Sequence, residues 1–138
     1  MLVFFVMSVR SSAEMMGWQV KSLVNLEYPP VAAQARLQGA VEVECILTGQ
    51  GYVKSSRVLR GNQLLGRAAQ ENIGKWQFQK VPSMMLGSRS DGIVLHYEFK
   101  VSGKTCLKST CPTVFNFEYP NSVTIEIDAP HWQPTAGK

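Results

Sequence analysis

Two glutamates offer the first candidate chemistry. Glu42 and Glu44 lie two apart in VEVEC, a spacing that sets both carboxylates on one face of a strand. Such a pair can divide acid and base work when its surroundings push the two pKa values apart. Here the glutamates alternate with Val41, Val43, Cys45 and Leu47, so they occupy the face opposite an apolar one, where glutamates are ordinarily solvated. His96 falls on the polar side of another alternating segment. His131 stands beside Trp132 in a Pro-bearing tail too loose to hold a proton-transfer geometry. The chain has no G-x-S-x-G, no H-E-x-x-H and no phosphate loop, and Gly49-x-Gly51 lacks the helix that a dinucleotide site needs. It reads as a non-enzyme with no catalytic residue and no cofactor.

The three cysteines divide into two kinds. Cys45 lies on the apolar side of its strand, the setting of a buried, inert thiol. Cys106 and Cys111 are five apart in loop-like sequence and could close a small disulfide in an oxidising compartment, their redox state being left open by sequence. Cys-x4-Cys with two distant histidines matches no zinc-ligand spacing, so no metal is expected.

Charge offers a second class of function. Lys54, Arg57, Arg60, Arg67, Lys75 and Lys80 face a single acid, Glu71, in that stretch, within a net charge of +4. From Val114 to Gly137 there is no Lys or Arg, while Glu118, Glu126 and Asp128 supply the charge. A single-strand nucleic-acid binder adds exposed aromatic residues to its cations. Trp76, Phe78, Tyr97 and Phe99 fall at core-facing positions instead, so no nucleic-acid partner is expected and the cations are assigned to a solvated face.

The elements that would position these residues follow from hydrophobic period. At 138 residues and 45% hydrophobic composition the chain is one folded domain. Pro29-Pro30 opens a short helix with a stripe of Val31, Ala32, Ala35 and Leu37, and Gly39 is its expected stop. The period then becomes two from Val41 to Leu47. Gly49-Gln50-Gly51 makes a hairpin turn, and Tyr52 to Leu59 returns as a strand with room for a bulge between Val53 and Val58. Asn62 caps an amphipathic helix through Leu64, Leu65, Ala68, Ala69, Ile73 and Trp76. Residues 82–92 read as loop. Ile93, Leu95, Tyr97, Phe99 and Val101 alternate with Val94, His96, Glu98 and Lys100 as a third strand, which Gly103 ends. Residues 113–119 and 123–127 read as two further short strands about Pro120-Asn121-Ser122. The fold class is therefore α+β: a three-stranded antiparallel sheet covered by two helices, with a C-terminal hairpin-like extension.

The start of the chain is distinct. Leu2 to Met7 is an apolar run followed by Ser11-Ser12-Ala13, the order of a secretory signal without its basic leading segment. It falls short of the roughly 20 apolar residues that span a bilayer. Residues 1–13 are read as a truncated signal peptide, the other reading being an N-terminal strand. Residues 14–27 form a lead-in, 28–104 the domain, and 105–138 the extension.

An ordered set of short motifs carries a resemblance. It comprises Tyr28-Pro29 before a short helix, Arg36-Leu37-Gln38-Gly39, Val41-x-Val43 and Gly51-x-Val53. Leu64-Leu65 with Ala68-Ala69, Trp76-x-Phe78, Gly92-Ile93-Val94 and Phe99-Lys100-Val101-x-Gly103 complete it. Over about residues 28 to 104 the chain resembles the C-terminal domain of TonB-family energy transducers. The resemblance implies a domain of the periplasm or cell envelope that pairs a short peptide of an outer-membrane TonB-dependent receptor with its last strand, in energised transport. Carried over, that strand is Ile93, Val94, Leu95, His96, Tyr97, Glu98, Phe99, Lys100 and Val101, which binds by strand addition.

Three departures qualify what the resemblance implies. Gly17 to Glu27 leaves no room for the family's membrane anchor and Pro-rich spacer, so membrane contact is expected only through an upstream anchor. The position after Leu64-Leu65, often Asp in the family, is Gly66. The strands after Gly103 are suited to fill the free edge of strand 93–101. The alternative reading follows: a stand-alone envelope interaction or assembly module whose edge is covered by its own tail, with no transducer role. A homodimer through the sheet edge belongs with that alternative.

Overall fold

The computed structural model describes residues 17–80, 92–108 and 111–130. The signal-like start, all of the loop expected over 82–92 except Gly92, which opens a strand, and the His131-Trp132 pair lie outside them. Among the described residues nine elements follow one another: β1 (Trp18–Ser22), α1 (Pro30–Gln34), β2 (Gly39–Leu47), β3 (Val53–Arg60), α2 (Gln63–Ile73), β4 (Gln77–Lys80), β5 (Gly92–Cys106), β6 (Thr113–Glu118) and β7 (Ser122–Pro130).

The period-two segments pair into one sheet of order β3-β2-β5-β7-β6. This corrects the three-stranded expectation to five. The extension does form an antiparallel hairpin, β6–β7, but it joins the main sheet because β7 lies parallel to β5. Alternation along β2, β5 and β7 puts Val41, Val43, Cys45, Ile93, Leu95, Tyr97, Phe99, Val123, Ile125 and Ile127 on the buried face. Glu42, Glu44, His96, Glu98 and Lys100 fall on the open one, as an antiparallel-rich sheet covered on one side requires. A second, two-stranded sheet of β1 and β4 goes beyond the expected elements. Both strands are short, and Phe78 alone carries the inward signal of β4.

Helix α1 begins at Pro30, but its stop differs from the expected one. Arg36, at φ 53°, takes the left-handed position. The Leu37 amide donates to the Ala32 carbonyl (2.8 Å) and the Arg36 amide to that of Ala33 (3.0 Å). This is the paired C-terminal bonding that usually employs glycine; Gly39 instead opens β2. Val31, expected in the buried stripe, is 69% exposed, while Ala32 and Ala33 are buried.

Helix α2 starts as expected, with the Asn62 side chain accepting from the Leu64 and Leu65 amides (2.8 and 3.2 Å). Its buried face is Leu65, Gly66, Ala69, Asn72 and Ile73. Gly66 lies against β3, where a Cβ would meet Val58 at 2.9 Å, so the residue that weakens the helix also lets it approach the sheet. Gly51 is tighter still: at φ 89°, a Cβ there would sit 1.8 Å from the Phe78 carbonyl oxygen.

Asn72 anchors the lead-in from inside the core. Its Nδ2 donates to the Val24 carbonyl (2.8 Å), its Oδ1 accepts from the Tyr97 hydroxyl (3.0 Å), and the Trp76 Nε1 donates to the same Val24 carbonyl (3.2 Å). A buried polar group is stable only when so satisfied. Trp76 packs with Phe78, Tyr97, Phe115 and Phe117 at centroid distances of 5.7–6.4 Å.

Candidate functional site

The strand expected to receive a peptide, Ile93 to Val101, is the first two-thirds of β5, and β5 is interior. On one side β2 pairs with it antiparallel, from Gly39 opposite Phe99 to Ile46 opposite Gly92. On the other, β7 runs parallel from Ser122 beside His96 to Pro130 beside Cys106. Over His96 to Val101, therefore, the position an added strand would need is held by the chain itself. Of the two arrangements the sequence left open, a free edge or one filled by the tail, the filled one is found at those residues.

Val94 and Leu95 lie before the β7 register begins, and one residue closes that end. The Asn121 Nδ2 donates to the Val94 carbonyl (2.8 Å), while the Asn121 backbone carbonyl accepts from the His96 amide (2.9 Å). Asn121 is buried. In the sequence it reads as part of a turn, and its pairing with a strand 27 residues upstream leaves no local signal.

Strand β5 also runs past Gly103, its expected end. The register slips between Ser102 and Thr105, so Gly103 and Lys104 bulge while pairing resumes at Ala129 and Pro130. The Ser102 hydroxyl donates to Asp128 Oδ1, holding β7 at the slip. Beyond it Cys106 is bonded to Cys111, with Cα atoms 6.0 Å apart. The pair suggested by spacing thus ties the end of β5 to the entry of β6.

The candidate acid–base groups are dispersed on the open face. Glu42 is held between Arg60 (3.8 Å) and His96 Nδ1 (3.3 Å), and Glu44 pairs with Arg57 (3.1 Å). All five side chains are partly or largely exposed, so these pairs are worth about 0–1 kcal/mol each. The perturbed groups lie elsewhere, in the core. Burial, with the Glu44 charge adding, pushes the Cys45 thiol up to about 12. Burial raises the Tyr28 hydroxyl to about 12 and the Tyr97 hydroxyl well above its ordinary 10.0. None of these is poised to exchange a proton near neutral pH. Trp76, Phe78, Tyr97 and Phe99 are buried and so offer no stacking surface beside the cations of β3.

A family model described as the Gram-negative bacterial TonB protein C-terminal matches residues 24–101. The chain belongs to the TonB C-terminal domain family. TonB C-terminal domains are periplasmic in Gram-negative bacteria, interact with outer-membrane receptors and are non-catalytic. Among solved structures, the solution NMR structure of the Pseudomonas aeruginosa TonB C-terminal domain is 22% identical. That match has a TM-score of 0.46 and covers 64% of this chain and 90% of that one. No curated protein matches the chain. The family match stops at Val101, so the end of β5, the disulfide, β6 and β7 all lie beyond it. Among the described residues no helix is long and apolar enough to cross a membrane.

Proposed function

We propose that this TonB-family domain works in the periplasm or cell envelope as an interaction and assembly module. Its β5 edge is filled by its own C-terminal hairpin and does not serve as a receptor-peptide site. The observation that carries this reading is the parallel pairing of β7 with β5. Val123, Ile125 and Ile127 of β7 are buried in the main core, and each such side chain is worth about 1.5–3 kcal/mol. Releasing β7 therefore costs roughly 5–9 kcal/mol, comparable to the whole stability of a typical domain. A short peptide that replaces only the backbone bonds of β7 would not recover that sum.

The second reading keeps the family's role: an extended receptor peptide pairs with Ile93 to Val101 by strand addition during energised transport. Membership of the family favours it, and it requires β7 to leave first. Amide NMR on the chain, titrated with extended peptides from outer-membrane receptor N-termini, separates the two. The assembly reading expects slow exchange at the amides of His96, Glu98 and Lys100, which alternate towards β7, and no saturable shifts over residues 96–101. Saturable shifts on those residues, with loss of the β7 signals, would establish peptide capture in its place. Export is part of either reading, and N-terminal sequencing of the periplasmic protein checks whether residues 1–13 are removed.

A further inference from the structure

With β5 enclosed, the sheet ends at β3 and β6, and the two ends are not equally available. At β3 the register with β2 slips twice, at Lys54 and Leu59. Its Ser56 carbonyl already accepts from Gln70 Nε2 of α2 (3.1 Å). Its entry is bridged by Tyr52 to Gln77. Bulges, a lysine and a covering helix are the ordinary devices that keep an edge from pairing.

Among the described residues, strand β6 carries none of these. Its six residues pair with β7 without a slip, from Thr113 opposite Ile127 to Glu118 opposite Ser122. It contains no Lys, Arg, Pro or Gly. Among the described residues, no backbone hydrogen bond joins it to any segment but β7. The Thr113 hydroxyl accepts from the Tyr28 amide (2.9 Å), a bond to a side chain that leaves the strand's backbone groups unused. Phe115 and Phe117 are partly buried against the Trp76 ring, and Val114 is 62% exposed.

We propose that the free edge of β6 pairs antiparallel with β6 of a second copy of this chain, about a two-fold axis through Asn116. The sequence of the strand is self-complementary in that register. Counting outward from Asn116, Phe115 faces Phe117 of the other copy, and Val114 faces Glu118. The aromatic pairs then complete the shelf beside both Trp76 rings, and aromatic pairs across strands are favourable. No like charges oppose one another, since Glu118 meets a valine. A two-fold axis perpendicular to the sheet keeps both core faces on one side, giving a continuous sheet with a closed, isologous contact. Six residues a side fall short of the area of a permanent dimer, so the association is weak and concentration-dependent. The proposal rests on the reading of the β5 edge as filled.

The test is sedimentation of the full, oxidised chain across concentration, with three substitutions on the exposed face of β6. Asn116→Lys sets two cations against each other on the axis and should weaken association about tenfold. Val114→Lys sets a cation opposite Glu118 and should hold or tighten it. Asn116→Cys should cross-link two copies in air. Cys106 and Cys111 are bonded to each other and Cys45 is buried, so position 116 would carry the exposed thiol. Equal thermal midpoints would show that the variants still fold.

A chain that stays monomeric at NMR concentrations overturns the proposal. So does a dimer indifferent to Asn116→Lys, or a monomer whose β6 amides shift instead with an extended apolar peptide. The reading of β5 fails by a different sign, fast exchange at the amides of His96, Glu98 and Lys100, which alternate towards β7, whatever the oligomeric state.

Discussion

Strands β3 and β6 close the same sheet at opposite ends, yet they manage their unpaired backbone differently. Strand β3 carries Lys54, Arg57 and Arg60, slips register twice and has its Ser56 carbonyl covered from α2. Strand β6 pairs without a slip, lacks basic residues, and leaves two phenylalanines only partly buried beside Trp76. The difference shows that closing one edge of a sheet with extra strands creates another edge. The C-terminal hairpin fills β5, where the family's partner peptides are expected to dock, and in doing so presents β6. An edge guarded by cations and bulges resists pairing, whereas a regular, apolar one invites it.

The contrast between the two ends depends most heavily on Trp76, which supports the β6 shelf. Trp76→Ala should cost about 3–5 kcal/mol, read as a lower urea midpoint, with Phe115 and Phe117 losing order before β3 does. A loss of under about 1 kcal/mol would mean that β6 does not depend on this ring.

Reducing Cys106–Cys111 acts on one end only. A disulfide closing so short a loop contributes about 2 kcal/mol. Hydrogen exchange under reducing conditions should accelerate in β6 and β7 and leave β3 unchanged. Uniform acceleration across the sheet would contradict that separation.

Alkaline pH reaches both ends. Cys45 lies opposite Ser56 of β3, and the Tyr28 amide donates to Thr113 of β6. Both side chains are raised to about 12 in the fold, from 9.0 for the thiol and 10.0 for the phenol. A folded-state pKa above the unfolded one gives stability that is complete below the unfolded value and lost as pH climbs through the folded one. Thermal midpoints should therefore be level with respect to these groups below about pH 9 and fall towards pH 12. Cys45→Ala should remove the earlier part of the fall, and an unchanged curve in that variant would exclude the thiol as its cause.

The smallest effect belongs to the guard on β3. Gln70→Ala should cost about 0.5–1.5 kcal/mol, measured by denaturant titration, without creating association at β3, because the bulges and cations remain. New self-association in that variant would show that Gln70 alone keeps the edge closed.

Much of this arrangement is legible in the residues themselves. Alternation marks β2, β5 and the hairpin strands, and Asn62 marks the start of α2. The faces of Glu42, Glu44 and His96 follow from the same parity. Short elements escape such a reading where the signal is too brief: β1 and β4 contribute few inward residues, and Phe78 reads equally well as a continuation of the helix's apolar path into the loop after it. The stop of α1 is misplaced by it because glycine is the usual left-handed residue, whereas here Arg36 takes that conformation, with its own amide and that of Leu37 bonded back to Ala33 and Ala32.

Local period and side-chain polarity, written residue by residue, were enough to set the longer elements and the buried faces of β2, β5 and β7, and an ordered set of short motifs pointed to the family to which the chain belongs. They could not say that β7 lies parallel in the edge of β5, that Asn72 and Asn121 serve as internal anchors, or that β6 becomes the open end; those are outcomes of tertiary packing. Strands pair through backbone groups that are alike at every residue. No side chain therefore records which edge a strand will take, and the choice falls to whichever packing buries the most apolar surface.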